Sequence, residues 1–179
     1  MARVEQITDK AQVAAEWHPL YDRIVAQRGR VAGPHSILLH APAVADRVDQ
    51  VAAALRSDSQ VSAADHVVAA LAVARAKDCL FVWSVQAPNA RRNSVSEEVI
   101  AAIKERRTNG LTEDQADIVS YAQQVVASNR VDANTFSRLK DRHGVRWLVE
   151  LSTIAGHFAL ICGINNAFEV PPSPQGDQL

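Results

Sequence analysis

Residues 66–90, HVVAALAVARAKDCLFVWSVQAPNA, restrict the possible folds more than any other stretch of the chain. They read as two consecutive helices joined at Lys77-Asp78. Ser62 caps the first, which carries Val67, Leu71 and Ala74 inward. Asp78 is the expected N-cap of the second, with Cys79 in its first turn, where unpaired N–H groups and the helix dipole favour a thiolate. Cys79, Val82, Trp83 and Gln86 recur at i, i+3, i+4 and i+7, so they share one helical face.

Helical periodicity continues through nearly all of the 179 residues, and no stretch alternates cleanly enough for a strand. Hydrophobic residues make up 47% and aromatics only 5%, which favours closely packed helices over a β-sandwich. The length suits one domain with a real core. A first helix is expected over about Lys10–Gln27, a short one over Ser36–His40, and another from Pro42 at N1 to about Arg56. The Cys79 helix should end near Arg92. Ser96 and Thr112 open two more, the first ending at Asn109-Gly110 and the second near Asn129. Asp132 caps a shorter helix to about Arg142, and a last one runs from Gly144 to about Phe168. Residues 1–170 thus form a single domain, with a disordered tail over 171–179.

A formal net charge of −1 gives no electrostatic reason to expect nucleic acid or an anionic membrane as partner. The N-terminus has no apolar signal region. Val145–Ala167, the most apolar stretch, is interrupted by Arg146, Glu150, His157 and Asn165, so no membrane span is expected. Two cysteines 83 positions apart make neither a disulfide framework nor a zinc site and suit a reducing compartment; the reading is cytoplasmic. No phosphate-binding loop, dinucleotide fingerprint or metal-ligand motif occurs, so neither cofactor nor metal is implied.

Val67, Cys79, Val82 and Gln86, with AVAR before the Cys and VWSVQAPNA after it, resemble the carboxymuconolactone decarboxylase family and its relatives, the AhpD-type thiol peroxidases. Their pattern is Glu, eleven residues, Cys or a similar group, two residues, Cys or Glu, three residues, His. Here a Val, a Val and a Gln stand where the family carries a carboxylate, a second proton or electron carrier, and an imidazole. The resemblance implies an all-α, AhpD-like helical bundle of two related helical-hairpin halves. It also implies homo-oligomers: dimers, trimers or hexamers. Glu150, Cys162, Asn165 and Glu169 repeat the motif's spacing, and small-residue faces such as Ala69–Ala72 could permit assembly.

His35 and His40 lie in the segment that in the family packs over the pocket, so they are the preferred replacements for the missing base. The candidate catalytic set is therefore His40, His35, Gln86 and Cys79. Gln86 can orient a substrate but does not titrate near neutral pH. Arg47, Arg75, Arg91 and Arg92 are candidate carboxylate binders, Arg75 the best placed one turn before Cys79, although an ion pair with Asp78 or Asp65 is the favoured reading for it. Trp83, Val82, Val67 and His157 complete the expected substrate-binding set. His66 lies next to the place of the missing Glu, roughly 100° round the helix from it. Three functions follow: a cofactor-free enzyme acting on a small lactone or carboxylic acid, a binding or scaffold protein of the same fold, or a redox protein using Cys79 alone or with Cys162. With Val82 in the second thiol's place, Cys162 could resolve Cys79 only within disulfide reach.

Overall fold

Eight successive apolar residues, Val67 to Ala74, leave their helix no polar face to turn outward, and all eight are buried. A computed structural model describes residues 2–179, which contain no strand. The order is α1 (His18–Arg28), α2 (Pro34–Leu38), α3 (Pro42–Ser57), α4 (Ala63–Ala76), α5 (Leu80–Arg92), α6 (Glu97–Glu105), α7 (Glu113–Ser128) and α8 (Ala133–Ala167). The all-apolar α4 is the central helix, packed against α5, α6, α7 and α8. Ala69–Ala72, expected as a possible assembly face, are fully buried inside this core and are not available for assembly. Exposed large aliphatics lie instead on α3 (Val44, Val51), α5 (Leu80, Val85) and α8 (Val145, Val149, Leu160), with Val4 near the N-terminus.

Ser62, Ser96, Thr112 and Asp132 each accept a bond from the N–H three residues on, as expected of N-caps. The first helix differs from expectation. Lys10–Gln12 and Ala15–Trp17 are separate 3-10 turns, and α1 starts only at His18. Pro19 has no N–H to donate and restricts the residue before it, so a helix cannot run through from Lys10. Gly144, at φ 86°, breaks α8 where the sequence separates two helices.

The spacing shared by the two cysteine sets falls on different local structure. Val67 and Cys79 stand on either side of a corner at Lys77–Asp78, where Asp78 has φ 45°. Glu150 and Cys162 lie on one uninterrupted part of α8. An 18-residue window of α8 has a mean hydropathy of 1.6, above what the interrupting residues led us to expect. This helix packs on α2, α3, α4, α5 and α7, which accounts for its apolar character. The tail, expected to be disordered, lies along α5 and α6: Ser173 N donates to Ser84 Oγ (2.9 Å), and Arg91 Nη2 pairs with Asp177 (2.7 Å).

Candidate functional site

A cavity of about 970 Å³ opens between α1–α3, the α4–α5 pair and α8. One wall is apolar and comes from α4 and α5, with Val67 and Val82 facing the space and Gln86 and Asn89 beside them. Asn89 Nδ2 donates to Gln86 Oε1 at 3.1 Å, fixing the amide. The facing wall is basic: Arg28 comes from α1, His35 from α2, Arg56 from α3 and His157 from α8. His66, from the start of α4, joins them. Four arginines (Arg28, Arg30, Arg56, Arg92) and three histidines line the cavity, with no Asp or Glu among the lining residues.

Local structure explains how His35 reaches this site. Gly33 has φ 59°, and a Cβ there would sit 2.0 Å from Phe81 Cζ, so only glycine lets the chain turn into α2 against the α5 ring. Pro34 then starts α2, two residues earlier than the expected Ser36, and places His35 in the buried first turn. Asp49, 1% exposed on α3, stands behind it. His35 Nε2 is 3.8 Å from Asp49 Oδ1, and Arg28 Nη2 is 3.3 Å from the same oxygen. Arg23 Nε reaches the other Asp49 oxygen at 3.3 Å.

All three imidazoles are held neutral. Burial pushes each down to about 4, aided by the charge of Arg28 at His35, of Arg56 at His66, and of Arg28 and Arg56 at His157. Burial also lowers Arg56, with Arg28 acting in the same direction; Asp49 is the carboxylate that opposes them. The Phe158 ring meets His66 and His157 edge-on, at 5.7 and 5.5 Å between centroids.

Behind the apolar wall, Cys79 and Cys162 are both fully buried and unbridged. Cys79 is itself the N-cap of α5; Asp78, expected in that role, precedes it in a left-handed conformation. The Cys162 side chain and the backbone N–H groups of Val82 and Phe81 favour the Cys79 thiolate. Together they lower the Cys79 thiol against the opposing effect of burial; Cys79 and burial push Cys162 up.

Residues 42–124 match the family model described as "Carboxymuconolactone decarboxylase family". Among solved structures, the chain is similar to an uncharacterized peroxidase-related protein from Ralstonia eutropha JMP134, titled an alkylhydroperoxidase AhpD core. The TM-score is 0.82 at 16% identity, over 97% of this chain and 93% of that one. Over residues 42–124 the chain is similar to the carboxymuconolactone decarboxylase family. Its fold is AhpD-like. A peroxidase-related protein from Silicibacter sp. TM1040 superposes with TM-score 0.77 at 15% identity, over 98% and 93% of the two chains. A Cys→Ala variant of the debrominase Bmp8, in complex with 2,3,4-tribromopyrrole, does so with TM-score 0.78 at 14% identity, over 98% and 95%. No curated protein matches the sequence.

The family motif positions divide between two environments. Val67, Val82 and Gln86 line the cavity, whereas Cys79 lies behind it. Trp83, expected at the pocket border, is a core side chain 1% exposed and absent from the cavity wall, because its i+4 position from Cys79 turns it into the α5 packing face. Of the histidines expected from sequence, His35 and His157 reach the cavity. His40 does not: it lies past the end of α2, exposed, with Nε2 2.8 Å from Glu5 O. Arg75 is also elsewhere, bound to Asp78 and to Lys104 O (2.7 Å), so its ion-pair alternative is the one the fold adopts. Arg28, Arg56, Asp49 and Asn89 were not among the expected site residues, and His66 was noted only for its position. Arg28 and Arg56 each end a helix, where a basic residue is ordinary, so no local signal marked them.

Proposed function

We propose that this protein is a cofactor-free enzyme acting on a small carboxylic acid or lactone held in the cavity, by decarboxylation, isomerisation or lactone opening. The observation that carries this reading is the composition of the lining: four guanidinium groups, three neutral imidazoles and no carboxylate. In a chain of net charge −1, that concentration of positive charge in one concavity selects an anionic organic ligand. The space is open: Val67 and Val82 line it without filling it, which favours an enzyme over a scaffold that has lost its pocket. A relative of the same fold is in complex with a small ring compound, which is in keeping with a ligand of that scale.

In this mechanism Arg28 and Arg56 bind the carboxylate, and the Gln86 amide, fixed by Asn89, orients the rest. His35, backed by Asp49, accepts a proton from the carbon next to the carbonyl and returns it to the product carbon. Burial chiefly holds His35 down and Arg28 adds to it; a bound anion offsets the Arg28 part and makes the imidazole a stronger base.

Calorimetric titration with benzoate, muconate and related mono- and dicarboxylates tests the reading. At least one should bind, and Arg28→Ala and Arg56→Ala should each weaken it about tenfold or more. Failure of every carboxylate to bind, or binding indifferent to both arginines, rejects it.

A further inference from the structure

Residues 171–179 are pinned to the protein at successive points. Val170 is buried, and its N–H donates to Asn165 O at 2.9 Å, anchoring the start of the segment. Pro171, Pro172 and Pro174 fix φ, so the chain has few backbone conformations to lose on docking. Ser173 N donates to the buried Ser84 hydroxyl, which in turn donates to Phe81 O at 2.8 Å. A Cβ on Gly176 would sit 2.3 Å from Ser84 O, so this glycine lets the segment lie directly on the helix. Further on, the Arg91 guanidinium forks onto the Asp177 carboxylate at 2.8 and 2.7 Å, and Lys104 Nζ donates to Gln178 O at 3.0 Å. The turn of α5 that the segment crosses supplies Phe81, Val82 and Val85 to the cavity, and Ser173 itself lines that cavity.

We propose that residues 171–179 are a strap that gates the cavity: docked on α5 it narrows the rim at Ser173, and lifted it lets ligand in and out. The fastenings weaken along its length. Its start is held by a buried valine and a buried hydroxyl, whereas its later part is held by an ion pair, a lysine and the partly buried Leu179. Few apolar contacts and exposed polar fastenings mark a segment that opens without the rest of the fold. Arg91–Asp177 is the latch. Arg91 Nη2 also binds Glu97 Oε2 at 3.0 Å, so the helix half of the latch stays in place when Asp177 leaves. Side chains 39% and 29% exposed leave the pair open to screening by salt. The gate rests on the reading of this cavity as a ligand site and makes access to it depend on a charge pair outside the lining.

Diethyl pyrocarbonate, a small neutral electrophile that modifies uncharged imidazoles, measures access without any carboxylate ligand. His35, His66 and His157 line the cavity, while the exposed His40 lies outside it and serves as internal control. Peptide mass spectrometry of the wild-type protein should show the three cavity histidines reacting faster as sodium chloride rises from about 0.02 M to about 0.5 M, with His40 constant. In Asp177→Lys, which sets two cations face to face, they should react about fivefold faster than in the wild type at low salt and lose the salt response. Asp177→Glu should keep wild-type rates. Hydrogen exchange of α4 should be the same in all three proteins. Cavity rates equal in wild type and Asp177→Lys, wild-type rates indifferent to salt, or a rise matched by faster exchange throughout α4 would overturn the proposal. Failure of carboxylates to bind would leave these rates as they are, so the gate and the carboxylate reading fail separately.

Discussion

The two walls of the cavity carry opposite chemistry. The α4–α5 wall, which bears the family motif, offers Val67, Val82 and amides at the motif, with His66 and Arg92 at its ends, while the wall from α1–α3 and α8 offers Arg28, Arg56, His35 and His157. The first wall nonetheless conditions the second. Burial is the largest cause of the lowered imidazoles, and the apolar side chains Val67 and Val82 are among those lining the space beside them. The motif match, residues 42–124, contains the first wall but leaves Arg28, His35 and His157 outside it.

The contrast is most severely tested at Asp49, which supports the basic wall from behind. Asp49→Asn leaves Arg23, Arg28 and His35 around an uncharged amide and should cost about 3 kcal/mol in urea unfolding. A loss below ~1 kcal/mol would mean that solvent, and not this carboxylate, balances the wall. His35→Gln comes next: with any carboxylate the enzyme turns over, kcat should fall about a hundredfold with little change in affinity. A fall in affinity alone would move His35 from proton carrier to ligand contact.

Acid should separate the walls more gently. The three histidines sit near 4 when folded and near the ordinary ~6.5 when unfolded, so between those limits the unfolded chain binds more protons. Stability should be level above about pH 6.5 and decline as pH falls towards 4. Melting temperatures of a His35→Gln, His66→Gln, His157→Gln variant should show a shallower decline over that window; an unchanged slope would assign the acid sensitivity to other groups. The smallest effects belong to residues outside the cavity. Arg75→Ala and His40→Ala should leave ligand affinity unchanged, and loss of the partly exposed Arg75–Asp78 pair should cost at most about 1 kcal/mol.

Much of the helical plan is legible in the chain because its causes are local. Caps at Ser62, Ser96, Thr112 and Asp132, the break at Gly144 and the all-apolar run of α4 each act within a turn or two. Reading failed where a local signal had a competitor, as at Pro19, which delays α1, and at Asp78, which yields the cap to Cys79. The site was half legible. Val67, Val82 and Gln86 follow from motif spacing, and His35 and His157 were named, but His40 and Arg75 are equally good by sequence and face elsewhere.

Sequence by itself therefore determined that this chain is helical, that it resembles the family over the motif, and that three of the motif's four titrating positions are filled by Val67, Val82 and Gln86, which do not titrate. Tertiary structure alone decided which distant groups share the cavity. The physical reason is range. Capping and periodicity act between neighbours along the chain, whereas desolvation and charge depend on what the packing of separate helices brings within a few ångströms.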